Sequence, residues 1–166
     1  MIVVTGGAGF IGSNLIAALN SLDRADIILV DDLSDAGKIQ NISDLAIADY
    51  LDKDDFRKRI VESGLPGNVS AVFHQGACSD TMASDGRYVM EVNYEYSKVL
   101  LDACIEKGVS LIYASSASVY GSDGPFDEEI ENEHPLNAYA YSKTLFDRYA
   151  FAGGRSPSSQ IVGLRY

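Results

Sequence analysis

Gly6, Gly7, Gly9 and Gly12 stand directly behind the apolar run Met1–Val4. An apolar run that breaks into closely spaced glycines and then resumes at helical spacing reads as strand, tight turn and helix. Such a turn is a cradle for a pyrophosphate. One glycine allows positive φ, a second removes the side chain that would block the phosphates, and the last lets the helix pack closely on the strand. A helix starting near Phe10 aims its free N–H groups and positive dipole end at the anion. The chain can be read both as Gly7-x-Gly9-x-x-Gly12 and as Gly6-x-x-Gly9-x-x-Gly12, so spacing alone does not choose between dinucleotide-binding families.

The flanking sequence strengthens the reading. Ile2, Val3 and Val4 are β-branched and continuous, as in a strand buried on both faces. Ile11, Leu15, Ala18, Leu19 and Leu22 recur at helical spacing. A second run, Ile27–Val30, ends in Asp31, where a carboxylate would meet the adenosine ribose hydroxyls.

Further apolar runs at Ala71–Phe73, Leu111–Ala114 and Ile161–Leu164, and a weaker one at Leu45–Ala48, predict more strands. Helix-length segments lie between them, notably Asp54–Glu62, Arg87–Lys107 and Ala138–Phe151. Val92, Tyr96, Val99, Leu100 and Ala103 form a stripe in the longest, which offers a subunit contact if the chain is a homo-oligomer. Strands alternating with helices predict an α/β fold, a doubly wound parallel sheet in one domain over residues 1–166. Gly121–Leu136 breaks the alternation; six acids without Lys or Arg, and two prolines, make it a solvated loop.

A formal net charge of −11 excludes nucleic acid and anionic membrane as partners. No run approaches a membrane span, and the first apolar residues are needed as a strand rather than as a signal peptide. Cys78 and Cys104 are too few and too isolated for a disulfide framework or a zinc site, and no metal site is expected. These features predict a reduced, cytoplasmic protein.

A second constellation gives the cradle a chemistry. The run Leu111–Ala114 leads into Ser115 and Ser116, and Tyr139 and Lys143 follow at a helix start. Four residues apart on a helix, Tyr139 and Lys143 share a face and can serve one site. In an open α/β sheet that site forms beyond the carboxyl ends of the strands, where Ser116 and the glycine turn also sit. A free phenol ionises near pH ~10, so a phenolate base at neutral pH needs about 4 kcal/mol of help. A nearby ammonium and the positive ring of an oxidised nicotinamide supply it, while Ser116 hydrogen-bonds the substrate oxygen. Tyr141 lies on a different helix face from Lys143. His74 reads as a hydrogen-bonder at a strand end, His134 as solvated and Cys78 as a small buried packing group.

With these residues in place, the sequence resembles the extended short-chain dehydrogenases/reductases, the group of nucleotide-sugar epimerases and dehydratases with a Rossmann fold. Thr5–Gly12, Ser116–Gly121 and the Tyr139/Lys143 pair carry that likeness. The more particular stretches Ile47–Phe56, Gly76–Ser79, Tyr113–Ser116, Pro135–Asn137 and Gln160–Tyr166 resemble the branch that epimerises ADP-linked heptoses at C6. The resemblance implies cofactor contacts from Gly6, Gly9, Phe10, Ile11, Gly12, Asp31, Asp32, Lys38, Lys53, Gln75, Gly76, Ala77, Cys78, Ser79, Asn93 and Lys143, with Ser116, Tyr139 and Lys143 catalytic. It also implies NADP, with Lys38 and Lys53 suited to a 2′-phosphate; Asp31 argues for NAD instead. Asp32 and Val92 replace a glycine and an asparagine of the family pattern. The implied reaction passes through a 6-keto sugar on the way to precursors of the lipopolysaccharide core. Family members run about twice as long, so the resemblance further implies that the substrate domain and a second acid/base lysine are largely absent here and the chain is inactive alone. Two alternatives remain: another nucleotide-sugar enzyme such as a UDP-sugar 4-epimerase, or a dinucleotide-binding module without turnover.

Overall fold

A computed structural model describes residues 1–152 and 159–166. Its centre is a six-stranded sheet in the order β3-β2-β1-β4-β5-β6. The strands are β1 (Ile2–Thr5), β2 (Ile27–Asp31), β3 (Asp49–Asp52), β4 (Ala71–His74), β5 (Ser110–Ser115) and β6 (Ile161–Arg165), and every pairing is parallel. The order runs outward in both directions from β1 and β4, so a crevice opens at their carboxyl ends.

Strand alternation divides the core into two layers. Val3, Ile28 and Val30 face one side with Phe56, Ile60, Leu100, Leu111 and Phe146. Ile2, Val4, Ile27 and Leu29 face the other with Ala8 and Ile16. Helices α1 (Phe10–Ser21), α2 (Lys53–Ser63), α3 (Gly86–Met90), α4 (Tyr96–Lys107) and α5 (Ala138–Phe151) cover these faces. Phe56 and Ile60, one turn apart on α2, bury side chains worth roughly 2 kcal/mol each. Asp52 caps that helix by accepting the Asp54 N–H, and Gly64, at φ 73°, ends it.

The sequence reading misses in four places. The third strand is Asp49–Asp52, not Leu45–Ala48. An edge strand half open to water needs no apolar run, and Leu45 and Ile47 instead pack from a loop onto the α1-side core. On α1 the buried face is Gly12, Ser13 and Ile16, while Ala18 and Leu22 are exposed, because the glycine contact brings that face onto the sheet. The long helix is interrupted by a π turn at Glu91–Glu95, which turns Val92 toward the crevice. In the acidic loop Glu133 is buried against Arg165 and Arg148. Both partners come from elsewhere in the chain, so the loop's own composition could not reveal them.

Among the described residues no helix is long and apolar enough to cross a membrane, and no cluster of His, Cys, Asp and Glu could hold a metal ion.

Candidate active site

The cradle is built mainly from backbone. Gly6 has φ +66°, and a Cβ on it would sit 2.5 Å from the Gly76 nitrogen. A Cβ on Gly12 would overlap the Gly6 carbonyl. The Gly9 N–H closes the turn on the Gly6 oxygen at 3.0 Å. Gly9 then caps α1 without a side-chain hydrogen bond, and no acid occupies the first turn. The leading N–H groups of α1 therefore face open space, as a bound anion requires.

Asp31 fixes the shape of this turn. Its carboxylate is 6% exposed and accepts the N–H groups of Ala8 at 2.8 Å and Asp32 at 2.7 Å, and the Lys38 ammonium at 2.8 Å. Lys53 lies 2.8 Å from Asp54 and 3.6 Å from Asp32. Both lysines are thus engaged by carboxylates. Hydrogen bonds from the Ser34 hydroxyl and backbone N–H, helped by the Lys53 and Lys38 charges, hold the Asp32 carboxyl below the usual range despite some burial.

The far end of the cleft is built from side chains. β5 ends at Ser115, and Ser116 caps the short turn Ala117–Tyr120. Its Oγ accepts the Ser118 N–H at 3.2 Å and the Ser118 hydroxyl at 2.9 Å, which leaves its own proton for another acceptor. Asn137 caps α5 by accepting the Ala140 N–H at 2.8 Å, and Tyr139 stands in the first turn. Lys143 follows one turn on, its ammonium 5.9 Å from the Tyr139 ring centroid and donating to the Ala114 carbonyl at 2.7 Å. Burial brings the Lys143 pKa down to about 8, with the Asp147 charge opposing.

Asp147 anchors the same helix to the sheet, accepting from Tyr113 at 2.9 Å and Ser115 at 2.6 Å. Arg165 approaches Asp147 at 3.4 Å, donates to the Tyr120 hydroxyl at 2.9 Å and pairs with Glu133. Burial works against this guanidinium, but the hydrogen bonds and the carboxylate charges outweigh it and raise its pKa.

One cleft of about 560 Å³ joins the two ends. Its wall includes Gly6, Gly9, Phe10, Ile11, Gly12, Asp31, Asp32, Lys38, Lys53, Gln75 to Ser79, Ser116, Tyr139 and Lys143. Asn93 is the exception among the candidates. It sits behind the wall, accepting the Cys78 N–H at 2.8 Å and donating to the Cys78 carbonyl at 3.0 Å and the Ser142 hydroxyl at 3.0 Å. Cys78 is half-buried on the wall rather than buried. Tyr141 is 51% exposed and His134 is also exposed. His74 does end its strand as a hydrogen-bonder, held by Thr5 and Ser97.

Thr5, Tyr88, Val92, Tyr96 and Tyr166 also line the cleft, and sequence reasoning missed them. Val92 and Tyr96 looked like core because the stripe was read as one uninterrupted helix. The cleft fits a dinucleotide in size and in donor set. Its glycines keep a cradle clear, and two buried polar atoms on its wall, Gln75 Oε1 and the Tyr96 hydroxyl, have no protein partner.

The chain is similar to relatives of known sequence and of known structure. ADP-L-glycero-D-manno-heptose-6-epimerase of Brachyspira hyodysenteriae is 52% identical over 170 aligned residues, covering 100% of this chain and 54% of the relative. The crystal structure of the Helicobacter pylori ADP-L-glycero-D-manno-heptose-6-epimerase matches at a TM-score of 0.84 and 31% identity, covering 99% of this chain and 54% of that one. A Thermus thermophilus UDP-glucose 4-epimerase in complex with NAD matches at 0.78 and 30% identity, again over 99% of this chain and 54% of that one. This chain therefore spans about half the length of the relatives it matches. The sequence pattern of the NAD dependent epimerase/dehydratase family matches residues 2–166. With its glycine cradle, parallel sheet and Tyr139/Lys143 helix, the chain belongs to the NAD dependent epimerase/dehydratase family.

Proposed function

We propose that this chain supplies the cofactor-binding and hydroxyl-activating part of a nucleotide-sugar epimerase that inverts C6 of an ADP-linked heptose. The observation that carries the reading is the meeting of Ser116, Tyr139 and Lys143 on the wall of the cleft whose other end is the glycine cradle. A nicotinamide dinucleotide, when bound, supplies removal of the C6 hydride and its return to the opposite face, by way of a 6-keto sugar. The chain does the rest. Gly6, Gly9 and Gly12 leave room for the pyrophosphate and α1 turns its first N–H groups toward it. Tyr139 takes the C6 hydroxyl proton and later returns it, the Lys143 ammonium stabilises the phenolate, and Ser116 donates its remaining proton to the same oxygen. The product belongs to the heptose supply for a lipopolysaccharide core, a cytoplasmic synthesis.

NADP is the cofactor that Lys38 and Lys53 suggest, since either could pair with a 2′-phosphate. The ion pairs favour NAD as a second reading. A 2′-phosphate must win these lysines from Asp31, Asp32 and Asp54, whereas a ribose diol needs only the acceptor that Asp31 already presents.

The relatives are nearly twice as long, and we assign closure over the sugar to residues beyond the matched half. The purified chain is then expected to bind NADP or NAD weakly and to leave the C6 configuration of ADP-heptose unchanged, as read by proton NMR. Sustained epimerisation by these residues alone would overturn the division of labour.

A further inference from the structure

His74 lies 3% exposed at the end of β4, between the two ends of the cleft. Each of its ring nitrogens has a hydroxyl partner. Thr5 Oγ1 is 2.5 Å from Nδ1, and Ser97 Oγ is 2.8 Å from Nε2. The protons in this chain can be assigned by counting. Ser97 gives its only hydroxyl proton to the Asn93 carbonyl at 2.6 Å, so toward His74 it can only accept, and Nε2 carries the imidazole proton. A neutral imidazole has one N–H, so Nδ1 is an acceptor and takes the Thr5 hydroxyl proton. Thr5 Oγ1 in turn accepts the Gly76 N–H at 3.3 Å.

The chain continues beyond these residues in both directions. Gly76 is the residue whose backbone a Cβ on Gly6 would strike, so Thr5 and Gly76 belong to the cradle. Asn93 holds both backbone groups of Cys78 and the Ser142 hydroxyl, and Ser142 donates to the Tyr139 carbonyl at 2.6 Å. The charged and titratable groups facing the ring are Lys143 from α5 and Tyr96 from α4, which stacks on it at 5.8 Å between centroids. Burial and the Lys143 charge hold the His74 pKa down at about 3, so the ring stays neutral wherever the protein is folded and working.

We infer that His74 is a positioning residue: a neutral imidazole, protonated at Nε2, that ties the Gly76 side of the cradle to the π turn bearing Asn93. Through Asn93 and Ser142 it also sets the first turn of α5, where Tyr139 stands. His74 donates no proton to substrate in this role. The inference rests on the dinucleotide reading of the cleft only for its effect on affinity.

The nitrogen shifts of the imidazole test it directly. The chain has two histidines, and the exposed one is removed by His134→Gln, leaving His74 alone in a 15N–1H correlation spectrum. The expected spectrum shows Nε2 protonated and Nδ1 bare. Ser97→Ala, a change outside the cleft wall, is expected to mix the tautomers, move the Gly76 amide resonance, and weaken NAD about five-fold, the net worth of one buried hydrogen bond. An Nδ1-protonated ring or an imidazolium would overturn the inference. So would a Ser97→Ala chain whose Gly76 amide and NAD affinity both match the parent. If the parent binds neither NAD nor NADP, the dinucleotide reading fails, and the nitrogen shifts and the Gly76 amide still decide the role of His74.

Discussion

The two ends of the cleft are made in different ways. The cradle is backbone shape, specified between Thr5 and Gly12 and closed by Gly76, with Gly6 and Gly12 at positions where a Cβ would strike main chain. The other end is three side chains from two elements, held in place by contacts far away in sequence, such as Lys143 with the Ala114 carbonyl and Asp147 with Tyr113 and Ser115. The difference teaches where each end is vulnerable. A cradle of this kind fails by local steric or electrostatic change, whereas the Tyr139 end fails when a remote partner is lost.

Removing Arg165 gives the largest effect expected on stability. Arg165→Met leaves the buried Glu133 and Asp147 carboxylates without their shared cation, which costs about 3 kcal/mol in urea unfolding. The same variant, refolded in the native baseline, is expected to bind NAD as the parent does, because no cradle residue touches Arg165. Loss of affinity along with stability would break the separation of the two ends.

Lys143 sharpens the comparison through pH. Below about pH 8 the ammonium is present in folded and unfolded chains alike, and the folded chain bears the cost of burying it. From about 8 up to the ordinary lysine value of 10.5 the folded chain has shed this proton and the unfolded chain keeps it. Stability therefore rises with pH in that window relative to Lys143→Met, by on the order of 3 kcal/mol. Paired melts at about pH 7 and about pH 10 measure the rise. A constant difference between the two chains would mean that the amine is not a buried cation.

The smallest effect lies at the adenosine end. Lys38→Ala is expected to weaken NADP about ten-fold, with NAD nearly unaffected, the loss of one charge-assisted contact to a 2′-phosphate. Equal losses for both cofactors would show that Lys38 acts only by propping Asp31.

How much of this was legible in the sequence follows the same division. The cradle could be read at once, because a turn made of glycines is local and its consequences are steric. The parallel α/β alternation and the helix carrying Tyr139 and Lys143 were also readable, since apolar runs and an i, i+4 pair are local signals, but the order of the strands in the sheet was not. Glu133 was not, because its cations lie at Arg148 and Arg165 and only the fold brings them near. Nor was Tyr96, whose turn toward the cleft depends on the π turn that interrupts the helix. Asn93 was picked out as a residue of the site, but its amide works on Cys78 and Ser142 from behind the wall.

The central claim is that the glycine turn holds an anion-bearing dinucleotide, and Gly9→Asp tests it most directly. Gly9 has an ordinary extended backbone, φ −79° and ψ 174°, and a Cβ there meets the Gly6 carbonyl oxygen at 3.3 Å. Aspartate therefore needs a shift of a few tenths of an ångström, a cost offset by its capping of α1 at up to about 1 kcal/mol. The same carboxylate would stand where the pyrophosphate must lie. Calorimetric titration with NAD and with NADP is predicted to show one saturable site in the parent chain and none in Gly9→Asp, while the variant still melts cooperatively from a folded baseline. Equal binding by both chains, or no binding of either cofactor by the parent, would contradict the account.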